Sequence, residues 1–487
     1  MTTGSASWKP TIFLDPASSE SVYLQIAHGL MHEIERGRLN PGDALPGYRS
    51  LGEQLGISRN TVMAAYREPQ VEGWVVSKPG EGSYVAPSPP IRWPREGTEP
   101  SQNMGFDLPG VESIETKTSS LNMLKVASGL PDPRLIPGVE LARAYRRALT
   151  LNAQANLQIE DSQGHPRLRE ALARMLASTR GIPAQPDQIL VTRGSQMAMF
   201  LAGQALLNPG DGIVVEALGH RGAWEAFAQA GAHCLPIPVD AQGLRVEGLA
   251  ELLRSQTIRA VFLAPDRHYP TLVPLSLERR ARLMALAREY RFAVLETAQD
   301  TEFHFDGRPL APLAAADPAG VVVHIGTLSK IFSPNLRLGF VHAPLPLIKR
   351  MTMLRQALDR QGDMVLERAF AELLDDGEIL RHLNRMHQVY RRRRDVLCEA
   401  LTRHLGDRLA FRVPEGGLSI WAEVQAGIDV DRWAARALEC GVAFQAGRHF
   451  AFDGGPVQGL RLGFSNYSEP ELEEVALRML HALQDIR

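Results

Sequence analysis

Apolar residues recur at helical spacing at Val22, Ile26, Leu30 and Ile34, with Gly37 as a stop, so an amphipathic helix is expected there. Asn40-Pro41-Gly42-Asp43 reads as a turn. A short helix is expected over 49–55, with Leu51 and Leu55 inward. Gly56 interrupts it, and Ser58 is a good N-cap for a second short helix through Tyr66. Val75 and Val76 then suggest a strand, Lys78-Pro79-Gly80-Glu81-Gly82 a tight turn, and Ser83-Tyr84-Val85 the return. Helix, helix-turn-helix and β-wing in that order predict a winged helix over residues 1–85.

From residue 86 to about 121 the periodicity stops. Pro87, Pro89, Pro90, Pro94, Pro100 and Pro109 are strewn among Ser, Glu and Thr, the composition of a semi-stiff linker. Over 122–487, short apolar runs predict strands at 189–191, 213–215, 260–263, 292–295 and 321–325, with helical patterns between. That alternation predicts a mostly parallel α/β sheet with its site at the strands' carboxyl ends. A long helical stretch is expected from about Met351 to His404; its run Arg391-Arg392-Arg393-Arg394 reads as a solvated helix face. Strands near 418–421 and 460–463 and a helix from about Glu469 predict a small α/β subdomain over about 385–487.

Composition changes this picture little. A chain of 487 residues with 44% hydrophobic and 22% charged residues is ordinary for a globular protein of two or three domains. A net charge of −2 leaves a nucleic-acid partner to be decided by local charge placement. Three cysteines, Cys234, Cys398 and Cys440, are odd in number and far apart, which argues against a disulfide framework or a cysteine metal site. The opening MTTGSASWKP lacks a signal pattern and no apolar run reaches membrane-spanning length, so the protein is expected to be cytoplasmic, without a membrane partner.

Candidate chemistry concentrates in VVVHIGTLSKIFSPNLRLGFVHAP, residues 321–344. Here Lys330 follows a buried apolar run, is flanked by Thr327 and Ser329, and is backed by Arg337. The amine can form a Schiff base with an aldehyde cofactor while the hydroxyls and guanidinium hold that cofactor's phosphate. The alternative is a surface loop of merely solvated cations. In the N-terminal module, Ser58, Arg59, Asn60 and Thr61 cluster at the start of the expected recognition helix, the end that enters the major groove. Arg49 suits a phosphate, and Lys78 with the Gly80 and Gly82 amides suits the minor groove or the backbone.

The elements LP-x-x-R-x-L, LG-x-SRNTV-x-x-AY and G-x-G-x-x-V follow in order between residues 45 and 85, and the segment resembles the winged helix of GntR-type bacterial transcription factors. By that resemblance DNA is contacted by Arg49, Ser58, Arg59, Asn60, Gly80 and Gly82. Two departures stand out: Gly47 replaces a capping serine, and Pro69 is expected to end or kink the helix near Glu68. Residues 1–90 hold seven Lys/Arg against nine Asp/Glu, so two such modules are expected to act together on a double-stranded operator.

The landmarks Gly129-Leu130-Pro131-Asp132, Gly194-Ser195-Gln196, Asn208-Pro209-Gly210-Asp211, Gly326-Thr327-Leu328-Ser329-Lys330, Leu336-Arg337-Leu338-Gly339 and Arg461-Leu462-Gly463-Phe464 resemble fold-type-I aminotransferases. The whole chain therefore resembles the MocR subfamily of GntR regulators. The resemblance implies a homodimer in which Lys330 carries pyridoxal 5'-phosphate (PLP). Ser195, Gln196, Thr327, Ser329 and Arg337 would form the phosphate cup, and Arg461 would hold an effector carboxylate. It also exposes departures. Thr297 stands where an aspartate keeps the pyridine nitrogen protonated, and Gln299 where a tyrosine meets the ring hydroxyl. His220 takes a ring-stacking tyrosine's place, Ile159 another tyrosine's, and Leu272 a glycine's. Asp300 and Glu302 are disfavoured as substitutes by their spacing. A neutral threonine cannot favour the pyridinium, so carbanion chemistry is expected to be weak and no catalytic residue is assigned. The expectation is a DNA-binding regulator that senses PLP or a PLP–amine adduct without efficient turnover. A pocket that binds another effector or none, and an active aminotransferase, are the alternatives.

Overall fold

A computed structural model describes residues 12–16, 18–90, 123–127, 129–150, 161–298 and 300–484. Nearly all of the expected linker, the first eleven residues, Ile159 and Gln299 lie outside the described residues. The chain divides into two compact units, Met1–Thr116 and Lys117–Arg487.

In the first unit, helices α1 (Val22–Glu35), α2 (Tyr48–Leu55) and α3 (Arg59–Val71) precede a hairpin of β1 (Val75–Lys78) and β2 (Gly82–Val85). Ile26, Leu30 and Ile34 turn inward as their spacing predicts and meet Leu51, Val62, Tyr66 and Trp74, whereas Val22 is exposed. Tyr66 is buried with its hydroxyl donated to Pro46 O at 2.9 Å, which fixes α3 against the turn before α2. Gly56 takes the left-handed conformation, φ 68°, that lets the chain reverse between the two helices. Helix α3 does not end near Glu68. It runs through Pro69 to Val71: the ring forfeits the one bond its N–H would have given Ala65 O, the helix continues only two residues beyond it, and Trp74 N donates back to Pro69 O.

The second unit is built on a seven-stranded sheet. Its strands are β3 (Ile189–Thr192), β4 (Gly212–Glu216), β5 (His233–Ile237), β6 (Ile258–Leu263), β7 (Ala293–Thr297), β8 (Val322–Thr327) and β9 (Gly339–His342). They lie in the order β3-β9-β8-β7-β6-β4-β5, all parallel except β9, which is antiparallel to both neighbours. The five strands expected from apolar runs are present. The edge strand β5 was not expected, its exposed His233 and Pro236 breaking the apolar pattern.

Both sheet faces are covered by helices, numbered α4 (Gly138–Thr150), α5 (Pro166–Arg180), α6 (Gly194–Leu206), α7 (Arg221–Ala228), α8 (Val246–Ser255), α9 (Leu277–Tyr290) and α10 (Leu345–Leu358). Leu190, Ile213, Val215, Phe262, Leu295, Val323 and Ile325 pack against α6, α7 and α10. Val191, Val214, Val261, Leu263, Val294, Val322 and Phe340 pack on the opposite side against α5 and α9. Successive residues of a strand point to opposite faces, and this alternation decides below which side chains can share a site.

The stretch expected as one helix from 351 to 404 is three: α10, α11 (Met364–Asp375) and α12 (Glu378–Leu405). Asp363 caps α11 by accepting from Leu366 N, and Gly377 at φ 71° permits the second break. The arginine run on α12 is only half solvated. Arg393 and Arg394 are buried and pair with Asp132 and Asp306, because this long helix packs on more than one side. A four-stranded antiparallel sheet follows, built from β10 (Leu409–Phe411), β11 (Ser419–Val424), β12 (Gln445–Ala446) and β13 (Gly459–Gly463) in the order β10-β11-β13-β12. Helices α13 (Val430–Glu439) and α14 (Glu469–Gln484) complete its core. Among the described residues no helix is long and apolar enough to cross a membrane.

Candidate functional site

Each parallel strand delivers its next residues to the same edge of the sheet. Strand β3 leads to Gly194-Ser195-Gln196, β4 to His220, β6 to Tyr269, β7 to Thr297 and Asp300, and β8 to Lys330. Residues far apart in the chain thereby surround one space, the usual ligand position in such sheets.

Lys330 directly follows the second of the loop's two hydroxyl residues, Thr327 and Ser329. Thr327 Oγ1 accepts from Ser329 N at 3.1 Å, and Ser329 Oγ accepts from Leu338 N at 3.1 Å and donates to Leu338 O at 3.3 Å. These hydroxyls staple the lysine loop to the start of β9. Arg337, left-handed at φ 48°, donates from Nη2 to Arg193 O at 3.1 Å. Its guanidinium crosses Gly194, where an added Cβ would stand 3.2 Å from Cζ; at φ 76° glycine also suits the backbone there. Helix α6 has no side-chain cap, so its first amides, including those of Ser195 and Gln196, have no partner from the N-cap residue, and they begin at Gly194, beside which the guanidinium lies. Arg337 makes no ion pair among the described residues. A helix N-terminus and a guanidinium side by side suit an anion. Gln196 spends its amide on Gly222 O at 2.6 Å, tying the starts of α6 and α7 together.

His220 caps α7 through Nδ1, which accepts from Ala223 N at 3.1 Å, so the neutral ring carries its proton on Nε2. Burial, with the charges of Lys330 and Arg461, pushes this imidazole down to about 4. Its ring lies 5.6 Å from that of Tyr269. Arg461, weighed against an exposed strand-end arginine, is buried on β13, with Nη1 donating to Ala127 O at 3.2 Å. Lys330, His220, Tyr269 and Arg461 therefore share one neighbourhood.

The carboxylates sort by face. Thr297 is two residues past Leu295 and shares its side of the sheet, the side of α6 and α7. Glu296 points the other way, where it meets His324 Nδ1 at 2.7 Å and the Leu313 and Ala314 amides. Glu302 is spent on Arg180. Asp300, disfavoured by spacing, instead contacts Lys330 directly, Oδ1 to Nζ at 2.7 Å. Its left-handed backbone, φ 57°, turns the carboxylate toward the lysine, a conformation that spacing along a strand cannot anticipate. Asp300 and Tyr269 are thus the site residues that sequence reasoning missed. Gln299 lies outside the described residues, and Leu272, left-handed at φ 66°, lines a separate cavity of about 1750 Å³ that includes neither Lys330 nor Arg461.

The arrangement suits a phosphorylated aldehyde: an amine for the carbonyl, an anion site for the phosphate, and the rings of His220 and Tyr269 beside them. It does not offer a carboxylate at Thr297. PLP accordingly fits at its phosphate and its aldehyde, and lacks an acidic partner from β7 for its ring nitrogen.

On the first unit, Arg59, Asn60 and Arg49 lie on or at the start of exposed helical turns. Ser58 accepts from Thr61 N at 3.1 Å, and its hydroxyl meets Thr61 Oγ1 at 2.9 Å, so both side chains also serve the helix cap. Lys78 lies 5.0 Å from the Tyr84 ring centroid beside a wing turn in which Gly80 and Gly82 take positive φ.

Residues 125–479 match the aminotransferase class I and II family, and residues 22–85 match the bacterial regulatory proteins of the gntR family. The chain is 27% identical over 469 residues to the probable rhizopine catabolism regulatory protein MocR of Rhizobium meliloti, covering 95% of this chain and 94% of that one. It is 30% identical over 485 residues to the HTH-type transcriptional regulator TauR of Rhodobacter capsulatus, covering 97% and 99%. Among solved structures it resembles the α-aminoadipate aminotransferase LysN of Thermus thermophilus, complexed with N-(5'-phosphopyridoxyl)-L-leucine. That likeness has a TM-score of 0.70 and 29% identity, over 75% of this chain and 93% of that one.

Proposed function

Because the chain belongs to the MocR-type transcription regulators, a gntR-family helix-turn-helix joined to an aminotransferase class I domain, we propose that it is a DNA-binding switch. In this reading the aminotransferase-like domain holds PLP, or its adduct with an amine, and does not turn it over efficiently. One observation carries it: a strand-end lysine with Arg337 and the uncapped start of α6 close by, at a sheet edge where the buried residue ending β7 is the neutral Thr297.

Bound PLP would supply an electrophilic aldehyde and an electron-withdrawing ring. Lys330 would hold the aldehyde carbon. The amides of Ser195 and Gln196, with Arg337, would hold the phosphate, and Thr327 and Ser329 would keep the lysine loop in place. His220, neutral and pointing its Nε2–H away from its helix cap, would lie beside the ring. Arg461 would take the effector's carboxylate by its planar fork. Gln299 would meet the ring hydroxyl. Thr297 cannot supply charge to keep the ring nitrogen protonated, which supports sensing over turnover.

On DNA, Arg59, Asn60 and Thr61 would read base edges from the start of α3. Arg49, Ser58, Lys78 and the wing amides of Gly80 and Gly82 would meet phosphates. The proposed layout is residues 1–85 for the operator, 86–121 as linker, and 122–487 for effector binding and homodimerisation, acting in the cytoplasm. Exposed apolar side chains on α4 and α10 (Val139, Leu149, Met353 and Leu358) support association with a second copy.

Titration of the purified protein with PLP tests the reading. A visible absorbance change and borohydride trapping at Lys330, both absent from Lys330→Ala, are expected. If neither appears, the pocket serves another effector or none, a second reading that the Lys330–Asp300 pair favours because it already occupies the amine.

A further inference from the structure

Beyond this reading, though resting on it, we propose that Asp300 is the acid–base residue for covalent capture at Lys330. An ammonium has no lone pair to attack a carbonyl, so the proton on Lys330 must first move to a neighbouring base. Asp300 Oδ1, 2.7 Å from Nζ, is placed to take it.

Other bases near the edge of the sheet are spoken for. His220 Nδ1 is engaged by Ala223 N–H, and its Nε2 already carries the proton. Glu296 lies on the far face of the sheet, held by His324 and two backbone amides. Glu302 is paired with Arg180.

Asp300 is also built into place. Arg267 Nη1 donates to Asp300 O at 2.8 Å, and its Nη2 meets His304 Nδ1 at 2.7 Å, so the guanidinium clamps the left-handed turn from behind. The clamp needs a bare backbone opposite it. A Cβ on Gly416 would fall 2.2 Å from Arg267 Nη2, and Gly417, at φ 84°, backs the Asp300 side chain. A surface aspartate drawn to a lysine by chance would not need this support.

The step balances. Asp300 takes one proton from the ammonium, and the freed nitrogen forms a bond to the aldehyde carbon of PLP. The carbonyl oxygen, protonated by the now neutral Asp300 carboxyl and by the second N–H proton, leaves as water. A C=N double bond replaces the C=O double bond, and the linked nitrogen keeps one proton. No oxidant or further reactant is required. The same residue running the sequence backwards would release the lysine when an incoming amine takes its place.

Stopped-flow mixing of the full-length protein with PLP tests the assignment, using the rise of visible absorbance as the measure of covalent capture. Equilibrium binding of pyridoxine 5'-phosphate, which keeps the phosphate and ring but has an alcohol for the aldehyde, is measured alongside. Asp300→Asn, which keeps the shape and tolerates the left-handed backbone, is expected to slow capture about 10²-fold or more. It should leave pyridoxine phosphate affinity within about twofold of wild type, a shift of roughly 0.4 kcal/mol. Its residual rate should climb with pH as hydroxide replaces the lost base, and Asp300→Glu should recover part of the rate at neutral pH.

Capture by Asp300→Asn at the wild-type rate overturns the assignment alone. Equal losses of capture and pyridoxine phosphate binding also overturn it, reducing Asp300 to a structural role. If wild type itself captures no PLP, the functional reading falls and takes this inference with it.

Discussion

The guanidinium of Arg461 lies over the ring of Tyr269, its Cζ 4.8 Å from the ring centroid. One residue comes from the small sheet and the other from the loop after β6, so the contact joins two layers at the edge of the site. The ring face favours the cation electrostatically while leaving other guanidinium edges for a ligand carboxylate. Tyr269→Phe keeps the face and is expected to bind a stable phosphopyridoxyl–amino acid conjugate as wild type does. Tyr269→Leu is expected to weaken it by about 0.5–2 kcal/mol. Calorimetric titration of both variants checks the difference.

The recognition helix separates two roles within four residues. Ser58 caps α3, so Ser58→Ala should cost about 1 kcal/mol in urea unfolding of the protein. The Arg59 side chain makes no hydrogen bond or ion pair among the described residues, so Arg59→Ala should leave stability within about 0.5 kcal/mol. Operator affinity should respond in the opposite order, with Arg59→Ala losing about 1–3 kcal/mol if it reads a base edge. Band-shift titrations on an operator fragment at fixed salt, beside the unfolding curves, distinguish the roles.

Much of this architecture was legible in the chain because it rests on local rules. The apolar runs at 189–191, 213–215, 260–263 and 321–325 are strands because only a doubly covered sheet absorbs them. The winged helix followed from Gly56, Ser58 and the glycines of the wing, each filling a backbone or capping need that few residues meet. Illegible features depended on partners distant in sequence. Nothing local marks Arg393 and Arg394 as buried: Asp132 is distant from the first, and the second adds the distant Asp306 to its neighbour Asp395. Asp300 was out of reach for another reason: regular spacing places a side chain only while the backbone stays regular, and here it turns left-handed.

Arg393 offers a direct test of that buried pairing. It meets Asp132 at 3.0 Å and donates to Ser465 O, tying α12 to the segment after residue 129. Arg393→Ala would leave Asp132 to Arg134 alone and Ser465 O without its donor, and is expected to cost about 1–3 kcal/mol. Arg392, adjacent but largely exposed, should change stability by less than about 0.5 kcal/mol when truncated. Denaturant midpoints of the two variants, at equal slope, settle the contrast.

Glu216 gives a pH dependence with a definite sign. It ends β4 fully buried, accepts from Ala264 N at 3.2 Å, and lies 3.8 Å from His268 Nε2, which donates to Leu218 O. Burial raises its carboxyl well above the ordinary value of 4.5, and pushes His268 down to about 4, so both groups prefer to be neutral. With the acid raised in the folded state, the native protein binds more protons than the unfolded chain at pH above 4.5. Stability contributed by this group is therefore present below 4.5 and is lost as pH rises, by up to about 1.4 kcal/mol per pH unit. His268 adds nothing to that slope above about pH 7, where it is neutral in both states. Glu216→Gln should come closest to wild type near pH 4 and exceed it increasingly toward pH 8–9 in urea unfolding. Parallel stability curves across that range would remove the claim.

Thr297 carries the distinction between a sensor and an enzyme. It is buried and shares the sheet face of Leu295 and Ile325, while the adjacent Glu296 is committed to the other side. A carboxylate at this position would supply the negative charge that a protonated ring nitrogen needs, and nothing else on β7 can. Thr297→Asp is therefore expected to gain reactivity rather than lose it: amino acids should convert bound PLP to its amine form about tenfold faster than in wild type or more, equivalent to roughly 1.4 kcal/mol of barrier. Thr297→Asn, similar in size but uncharged, should gain nothing. Absorbance followed over an amino-acid panel in the three proteins makes the comparison. If the aspartate variant is as inert as wild type while still linking PLP through Lys330, the missing acid is not what holds this pocket back from turnover.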